Sequence, residues 1–407
     1  MGTHIYLTFK LKFPQKYTFK GLKYMLKSDK ENTKEGISSF KSLMAVLAST
    51  LGTGNIIGVA TAIIIGGVGS IFWIFISGIF AIATKYAETY LALKYRRKDN
   101  KGFVGGAMYV LKYRLKSNSL ALIFCIFLIC STLGMGAMIQ SNAISSCISQ
   151  NYNINISVIA ILIVISCAYV LYGNEKRISN ISSVLIPLAT ITYLISCIVL
   201  IYIYRSNIIP SVRLIISEAF NFRSCIGGIF SCVAIRAMST GLSKGLFTNE
   251  AGMGTSPIFD CTVKEKSIKK QSIISSTSVF IDTVVLCTIT GVIFVATGMY
   301  NITDNPSVLS QSVFELLPYG KITYMLLIVI FAIATIPCAG YYGSIATGFI
   351  FKNKKIENIY RIVFLIFVYM GAISTIKLVW SISSVANALM VIPNTLMIYK
   401  LKNEIEK

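Results

Sequence analysis

The sequence has little of what soluble enzymes use for catalysis and for solubility. It contains one histidine, His4, and only 13% of its 407 residues are charged, whereas a soluble domain carries about 25%. Its ten cysteines show no spacing typical of a metal site, and most fall in apolar stretches, where cysteine acts as a small hydrophobic residue. Because clustered nucleophiles and metal ligands are lacking, we expect neither an enzyme nor an organic cofactor.

The sequence is instead rich in long apolar stretches. Hydrophobic residues make up 55% of the chain and the mean hydropathy is +0.70, which indicates a polytopic membrane protein. A helix needs about 20 apolar residues to cross a bilayer. This criterion predicts ten spans, at residues 40–65, 69–92, 119–149, 155–173, 181–204, 225–247, 272–298, 321–350, 357–375 and 378–399.

The net charge of +22 does not form a continuous basic surface for nucleic acid. Lysine and arginine gather in short clusters in every second connection between the spans, and again in the C-terminal tail. An excess of basic residues marks cytoplasmic loops. The alternation predicts an even number of spans with both termini in the cytoplasm. The basic clusters lie at residues 94–101, 176–177, 264–270, 352–355 and 400–407.

Residues 1–36 are basic and rich in aromatic side chains, and they are too polar to span a membrane. Lysine and aromatic residues both suit the membrane interface. We therefore expect a cytoplasmic segment that lies on the inner membrane face. It lacks the apolar run of a signal peptide, and His4 within it is a weak candidate for catalysis.

The first span contains an unusual polar stretch near its middle. Gly52 and Gly54 lie two residues apart and alternate with Thr53 and Asn55. Glycine weakens a helix interior, and a polar side chain at that depth needs a partner. We expect a helix break whose free N–H and C=O groups bind a zwitterion and a small cation. The alternative is a small-residue face against which another helix packs.

Ten spans divide into two halves of five, which must lie in the membrane in opposite orientations. The halves would be residues 37–205 and 225–399, with an extracellular linker at 206–224 and a cytoplasmic tail at 400–407. Paired interruptions in the first helix of each half are typical of a central transport site.

In the second half, the position equivalent to the break falls near residues 234–241. This stretch includes Arg236 and several small or hydroxyl residues. We expect a second break here. The alternative, which is compatible with it, is that Arg236 is merely neutralised by Asp282 or Glu250.

Seven stretches match, in order, the motifs of one family, and together they extend over residues 36–396. They are residues 39–60, 66–88, 105–109, 140–142, 236–254, 280–283 and 389–394. Each match is weak alone, but the ordered set is specific. The chain thus resembles the alanine or glycine:cation symporter family, sodium-coupled amino-acid carriers of bacteria and archaea.

The resemblance implies an all-α integral membrane protein of about ten helices. These would form a five-plus-five inverted repeat of the APC type, as in sodium-coupled neurotransmitter symporters. It further implies alternating access around one amino-acid site, with Na⁺ as the coupling ion. The expected location is the bacterial plasma (inner) membrane.

The implied substrate site lies at the break. An amino-acid carboxylate needs fixed N–H donors, and the helix ends at Gly52, Thr53, Gly54 and Asn55 supply them with a favourable dipole. Gln140 offers both a donor and an acceptor; the alternative is that its amide only forms a hydrogen bond between two helices. The resemblance adds two apolar wall residues, which are Ile144 and Ala339.

The implied sodium site uses oxygen ligands, which alkali and alkaline-earth ions prefer. Carbonyl groups freed near Ala48 and Leu51, together with the hydroxyl of Thr335, would provide them. The alternative for Thr335 is a hydrogen bond to its own helix backbone.

Several charged or polar residues have structural or gating roles by this interpretation. Lys85 and Glu88 are spaced i,i+3 and form a structural pair or a gate contact. Asn249 and Glu250 belong to the inner gate. Asp282 is either a coupling group on the ion path or the partner of the arginine in span six.

The chain departs from the family at several positions. The family's pocket tryptophan is Ala339 here, and a nearby glutamate is Ser344. A family asparagine is Ala137, and an aspartate is Ser384. We therefore expect a roomier site than one made for alanine or glycine. The family also has an apolar helix before the stretch that resembles residues 2–27, so we expect a shortened member or an upstream start.

Other classes of function remain as alternatives. The nearest is an amino-acid carrier that is proton-coupled or uncoupled, in which Asp282 or Glu88 titrates. An ion channel would need a continuous polar stripe through several helices, and none is present in the sequence. The expected partners are a small neutral amino acid, a sodium ion and the lipid bilayer, with no nucleic acid.

Overall fold

The computed structural model describes residues 1–27, 37–99, 102–152, 154–173, 175–221, 233–265 and 267–406. The chain begins with helix α1 (Gly2–Lys10), a 3₁₀ turn (Pro14–Tyr17) and helix α2 (Thr18–Lys27). In the rest of the described chain the regular elements are helices, apart from one short hairpin of strands β1 (Arg97–Asp99) and β2 (Gly102–Val104), paired antiparallel, and a single bridge between Ile37 and Val263.

The first half of the chain begins with a helix in two pieces. Its helices are α3 (Ser39–Thr50) and α4 (Ile57–Gly66), separated by a 3₁₀ turn (Thr53–Asn55); α5 (Ser70–Lys94); the short α6 (Ala107–Tyr109), which continues as a π turn (Val110–Arg114); α7 (Asn118–Ser131) and α8 (Gln140–Asn151), joined by a π-helical segment (Thr132–Ile139); α9 (Ile156–Leu171); and α10 (Glu175–Ile203). Helix α11 (Arg205–Ala219) occupies most of the predicted linker.

The second half follows the same order. Its helices are α12 (Val233–Asn249) and the short α13 (Pro257–Asp260); α14 (Ile268–Val279) and α15 (Thr288–Ala296), joined by a π-helical segment (Phe280–Cys287); a 3₁₀ turn (Met299–Asn301); α16 (Pro306–Glu315); α17 (Gly320–Phe351); α18 (Lys354–Ile373); and α19 (Ile376–Leu401), which ends in a 3₁₀ turn (Lys402–Glu404).

Helices in equivalent positions of the two halves pack against each other. The broken pair α3–α4 packs on α12, α5 packs on α14, α8 packs on α17 and α9 packs on α18. The related cross-contacts of α5 with α12 and of α3 with α14 are also present. The predicted all-α architecture is confirmed.

The predicted spans agree with the helices to within a few residues at most ends. Within the described part of the chain, six helices are long and apolar enough to cross a membrane: Ser70–Lys94, Asn118–Asn151, Glu175–Ile203, Ile268–Ala296, Gly320–Phe351 and Lys354–Ile373. The first span fails this length test because it is broken, and α9 is short, with 16 residues. The described part of α12 has 17 residues and begins where the description of the chain resumes at Val233.

The basic loops and the C-terminal tail meet at one end of the bundle. The Glu404 carboxylate accepts hydrogen bonds from Arg114 at 2.6 and 3.1 Å and lies 3.6 Å from the Lys94 ammonium. Glu406 pairs with Lys269 at 2.9 Å. The second loop, the sixth loop and the tail therefore lie on the same side, as an even number of spans requires.

The N-terminal segment differs from the expected surface position. Helix α1 packs on α5, and Leu7 and Leu11 are buried with 1% and 2% of their surface exposed. The His4 ring is buried as well, and its Nδ1 lies 2.6 Å from the Thr84 hydroxyl. Burial, with a smaller contribution from the nearby amino terminus, lowers the pKa of His4 to about 3, so this imidazole is neutral at physiological pH.

Replacing Leu7 with alanine tests whether α1 is part of the folded bundle. We expect Leu7→Ala to destabilise the protein by about 2–5 kcal/mol, because most of a buried side chain is removed and a cavity remains. The matched change is Ile5→Ala on the same helix, where 37% of the side chain is exposed. Thermal unfolding in detergent, followed by size-exclusion chromatography, compares the two. Equal midpoints would contradict the packed position of α1.

Candidate functional site

The first helix is interrupted where the sequence predicts it. Helix α3 ends at Thr50, and α4 begins at Ile57 after the single 3₁₀ turn. Leu51, Gly52, Thr53, Gly54 and Asn55 are all buried. The interruption is therefore enclosed by protein, as non-helical backbone at membrane depth must be.

The break diverts two N–H groups from their helical acceptors. The Gly52 N–H donates to the Thr50 carbonyl at 2.9 Å, so it no longer pairs with Ala48. The Thr53 N–H donates to the Gln140 Oε1 at 3.2 Å, and the Thr53 hydroxyl donates to the same oxygen at 3.0 Å. Gln140 on α8 thus satisfies the opened backbone, and the carbonyls of Ala48 and Ser49 lose their usual donors.

Thr335 on α17 occupies the position opened at Ala48. Its hydroxyl lies 2.7 Å from the Ala48 carbonyl and 2.8 Å from the Phe331 carbonyl of its own helix. Both alternatives that the sequence left open for this residue are therefore present in the geometry. The structure brings two of the three predicted sodium ligands together, and the third, Leu51, lies buried at the end of α3.

Gly52 is required by close packing. A Cβ atom at this position would lie 3.0 and 3.1 Å from the two amide atoms of Gln140 and 3.2 Å from the Thr335 hydroxyl. Any side chain would push apart the groups that satisfy the break.

A small cavity adjoins the break. Its free volume is about 20 Å³, and three predicted site residues line it: Thr335, Ala339 and Glu250. Sequence reasoning missed most of the remaining lining. The lining residues are Ser49, Ser131, Thr132, Met135, Gly136, Glu250, Thr255, Thr335, Ala339 and Tyr342.

Some missed residues carried a signal in the sequence. Ser49 follows the predicted ligand Ala48, and its hydroxyl accepts a hydrogen bond from the Tyr342 hydroxyl at 3.1 Å. Gly136 lies one turn before Gln140 and touches Ala339, since a Cβ there would lie 2.1 Å from the Ala339 Cβ. Ile144 packs in an apolar cluster with Ala339 and is not part of the cavity lining.

The second break is not where we expected it. Residues 234–241 lie inside the unbroken helix α12, so the prediction of a break there is wrong. The helix ends at Asn249, and left-handed backbone follows at Glu250 (φ 52°), Gly252 (φ 87°) and Gly254 (φ 75°). Helix α13 begins only at Pro257.

A buried carboxylate on α5 holds this second break. Glu88 Oε2 accepts hydrogen bonds from the Gly252 N–H at 3.0 Å, the Gly254 N–H at 3.1 Å and the Asn394 amide at 2.9 Å. Glu88 also pairs with Lys85 at 3.8 Å, and both side chains are completely buried. The Lys85 ammonium in turn donates to the Asn249 carbonyl at 3.2 Å. The predicted i,i+3 contact is present, and it supports the open backbone of α12.

Asn249 and Glu250 lie at the start of the second break. The Asn249 side-chain oxygen accepts from the Ala251 N–H at 2.9 Å, and Glu250 accepts from the Thr255 hydroxyl at 2.6 Å. Because Glu250 lines the cavity beside Thr335, both breaks border the same space.

Arg236 and Asp282 do not pair. Arg236 is exposed, whereas Asp282 is completely buried. The Asp282 carboxylate instead accepts hydrogen bonds from the Asn55 amide and from the Thr283 hydroxyl. Glu250, the other proposed partner of Arg236, is also buried. The arginine therefore plays no part in this site, and Asn55 turns away from the cavity.

Neutralising Glu88 tests its role as the anchor of the second break. We expect Glu88→Gln to destabilise the protein by about 3–5 kcal/mol, because the buried Lys85 loses its partner. The double change Lys85→Met/Glu88→Gln removes both charges and should recover part of this loss.

The matched control is Glu404→Gln, a change in a partly exposed pair that should cost less than about 1 kcal/mol. Thermal unfolding of the three variants in detergent compares them with the wild type. If Glu88→Gln unfolds at the same temperature as Glu404→Gln, the anchoring role is wrong.

A model of the sodium:alanine symporter family matches residues 1–407. The chain is similar to the sodium/alanine symporter AgcS of Methanococcus maripaludis, with 35% identity over 97% of this chain and 88% of that protein. It is also similar to the probable sodium/glutamine symporter GlnT of Bacillus subtilis, with 31% identity over 98% of this chain and 83% of that protein.

Among solved structures, the fold is similar to that of a Na⁺-coupled sialic acid symporter in a substrate-bound, outward-open state. The TM-score is 0.65, and the match covers 97% of this chain and 86% of the other at 13% sequence identity. The likeness at this identity concerns the fold alone.

Proposed function

The chain belongs to the sodium:alanine symporter family, and we propose that it carries a small neutral amino acid together with sodium by alternating access. It is a multi-pass membrane protein. We further propose that it resides in a bacterial plasma membrane with both termini in the cytoplasm, since the basic loops and the tail share one end of the bundle.

The observation that carries this proposal is the pair of broken helices facing one cavity. The Ala48 carbonyl, freed from its helix, faces the Thr335 hydroxyl at 2.7 Å. Two oxygens held this close, one of them without its helical donor, suit a small hard cation. In this proposal the cation replaces the hydrogen bond between α3 and α17.

The substrate carboxylate, by the same proposal, takes the backbone donor at Thr53. The Gln140 amide oxygen now accepts the Thr53 N–H, and a carboxylate oxygen has the same acceptor chemistry with a full negative charge. When the carboxylate binds there, the Gln140 oxygen becomes free to accept from the substrate ammonium. Gly54 supports this arrangement because it lets the turn approach Phe247 and Thr248 closely.

The amino acid we propose is larger than alanine. Ala339 lines the cavity with a methyl group where the family resemblance implies a tryptophan. The relative from Bacillus subtilis is named a probable sodium/glutamine symporter. A medium-sized neutral side chain such as that of glutamine fits this interpretation.

Uptake by purified protein in liposomes tests the coupling. Labelled amino acids are supplied while the sodium gradient and the pH gradient are varied separately. We expect uptake to follow the sodium gradient. Uptake that follows only the pH gradient would replace this proposal with a proton-coupled carrier.

Thr335→Val tests the proposed sodium ligand. The sodium concentration for half-maximal uptake should rise at least about tenfold, because an oxygen ligand is lost while the shape is kept. The control is Thr347→Val, since the buried Thr347 hydroxyl contacts only the Gly343 carbonyl of its own helix, at 2.8 Å. If both variants respond alike to sodium, Thr335 is no ligand.

Ala339→Trp tests the proposed substrate size. We expect glutamine uptake to fall strongly while uptake of alanine or glycine persists, because the indole would narrow the cavity that Ala339 lines. The size-matched control Ala339→Ser should keep the wild-type selectivity. Competition of unlabelled amino acids against a labelled substrate measures the change. An unaltered ranking in the tryptophan variant would rule out the wider pocket.

A further inference from the structure

We propose that the C-terminal tail is a latch that holds two groups of helices together at one end of the bundle. The tail consists of residues 402–406, directly after α19. Its end of the bundle is the one that we assign to the cytoplasm, so the latch must open before cargo is released there. This inference rests on the proposed function, because alternating access is what the latch would control.

The helices that the tail connects belong to two groups. In the first group, α5 packs on α12 and α14, and α12 also packs on α4. In the second group, α19 packs on α7, α17 packs on α7, α8 and α18, and α18 packs on α9. Alternating access moves one such group against the other around the transport site. A contact that joins the groups at one end is therefore present in one orientation and lost in the other.

Glu404 joins the two groups. Its carboxylate accepts two hydrogen bonds from Arg114, at 2.6 and 3.1 Å, and Arg114 ends the π turn that leads into α7 of the second group. The same carboxylate accepts a hydrogen bond from the Tyr95 hydroxyl, and the Glu404 carbonyl accepts one from the Lys94 ammonium at 3.0 Å. Lys94 and Tyr95 lie at the end of α5 in the first group.

Glu406 adds a second link to the first group. Its carboxylate pairs with Lys269 on α14 at 2.9 Å, and its carbonyl accepts a hydrogen bond from the Tyr86 hydroxyl on α5 at 3.0 Å. Between the two glutamates, Ile405 is buried in the apolar core, with 5% exposure. Because this burial holds the tail in place, the ion pairs form without ordering a free segment.

The strength of these links suits a reversible contact. The side chains of Glu404 and Glu406 are 22% and 56% exposed. A partly exposed ion pair changes an equilibrium by up to about fivefold, and salt screens it. The pair of Lys85 and Glu88, in contrast, is completely buried and suits a permanent anchor.

A native cysteine can report on opening at this end. Cys261 directly follows α13, which packs on α5, and its side chain is completely buried. Its sulfur lies against Gly105, where a Cβ atom would clash with it. Gly105 precedes α6 and the π turn that leads into α7. Separation of the two groups would therefore expose the Cys261 thiol to a water-soluble reagent.

The double change Glu404→Gln/Glu406→Gln tests the latch, because it removes both carboxylates and keeps Ile405. The rate at which a water-soluble maleimide labels Cys261 is measured on purified protein, with Cys261→Ala as the background. We expect labelling about three- to fivefold faster than in the wild type, because the open state becomes more populated. In liposomes, the sodium concentration for half-maximal uptake should rise as well, since fewer carriers then face the outside.

The matched control is Glu265→Gln. Glu265 pairs with Lys270 at 2.6 Å and is also partly exposed, but both residues lie in one stretch of chain at the start of α14, so this pair joins no two groups. Its labelling rate and sodium dependence should equal those of the wild type. Raising the ionic strength with choline chloride at constant sodium should speed the labelling of the wild type towards that of the double variant.

Size-exclusion profiles establish that each variant is folded. If the double variant fails to fold, Lys269→Gln decides in its place, because it breaks only the pair with Glu406 and should speed labelling by a smaller factor.

Three outcomes would overturn the latch. One is a double variant that is labelled at the wild-type rate, and another is an equal increase in Glu265→Gln, which would make lost surface charge the cause. The third is a Cys261 that no variant exposes, since the groups would then not separate at this end. A wild type without sodium-driven uptake would refute the proposed function, whereas the labelling of Cys261 would still decide on the latch.

Discussion

The architecture depends on one constraint: backbone groups released from a helix inside a membrane must find partners in the protein. At the first break, Gln140 receives the Thr53 N–H and Thr335 contacts the Ala48 carbonyl. At the second, Glu88 receives two glycine N–H groups. The remaining helices position these partners. The partners of the first break come from α8 and α17, and the charged partner of the second comes from α5, so each break is attached to a different set of helices.

The second break is held by the buried ion pair of Lys85 and Glu88, whereas the opened backbone at Ala48 and Thr53 contacts the neutral side chains of Thr335 and Gln140. A carboxylate that accepts two N–H groups and an amide stabilises left-handed backbone that would otherwise be unfavourable. The ammonium of Lys85 neutralises that carboxylate and also contacts the Asn249 carbonyl, the last residue of α12. The pair thus binds both ends of the opening between α12 and α13. Such a pair contributes more to defining the geometry than to net stability.

Sequence reasoning succeeded where the pattern was local and failed where it relied on symmetry. Gly52 and Gly54 identified the first break because two glycines that alternate with polar residues weaken the interior of a spanning helix. The same spacing occurs at Gly252 and Gly254, but we placed the second break by proportional position, near Arg236, whose polar side chain simply faces outward. The orientation of Asn55 could not be predicted either, because it depends on Asp282, 227 residues away along the chain. The packing of α1 against α5 could not be predicted either. Its lysine and aromatic side chains suit a membrane interface as well as a packed helix face.

Coupling between the ion and the substrate would depend on which helices each bound ligand holds together. A ligand shifts a conformational equilibrium only by the difference in its affinity for the two states. A cation between Ala48 and Thr335 would hold α3 to α17. The turn that carries the Thr53 N–H follows directly on α3, so the cation would also fix this turn. A carboxylate would then meet a fixed donor instead of a mobile one, so occupancy by the ion would raise the affinity for the amino acid, and the amino acid would raise the affinity for the ion by the same factor.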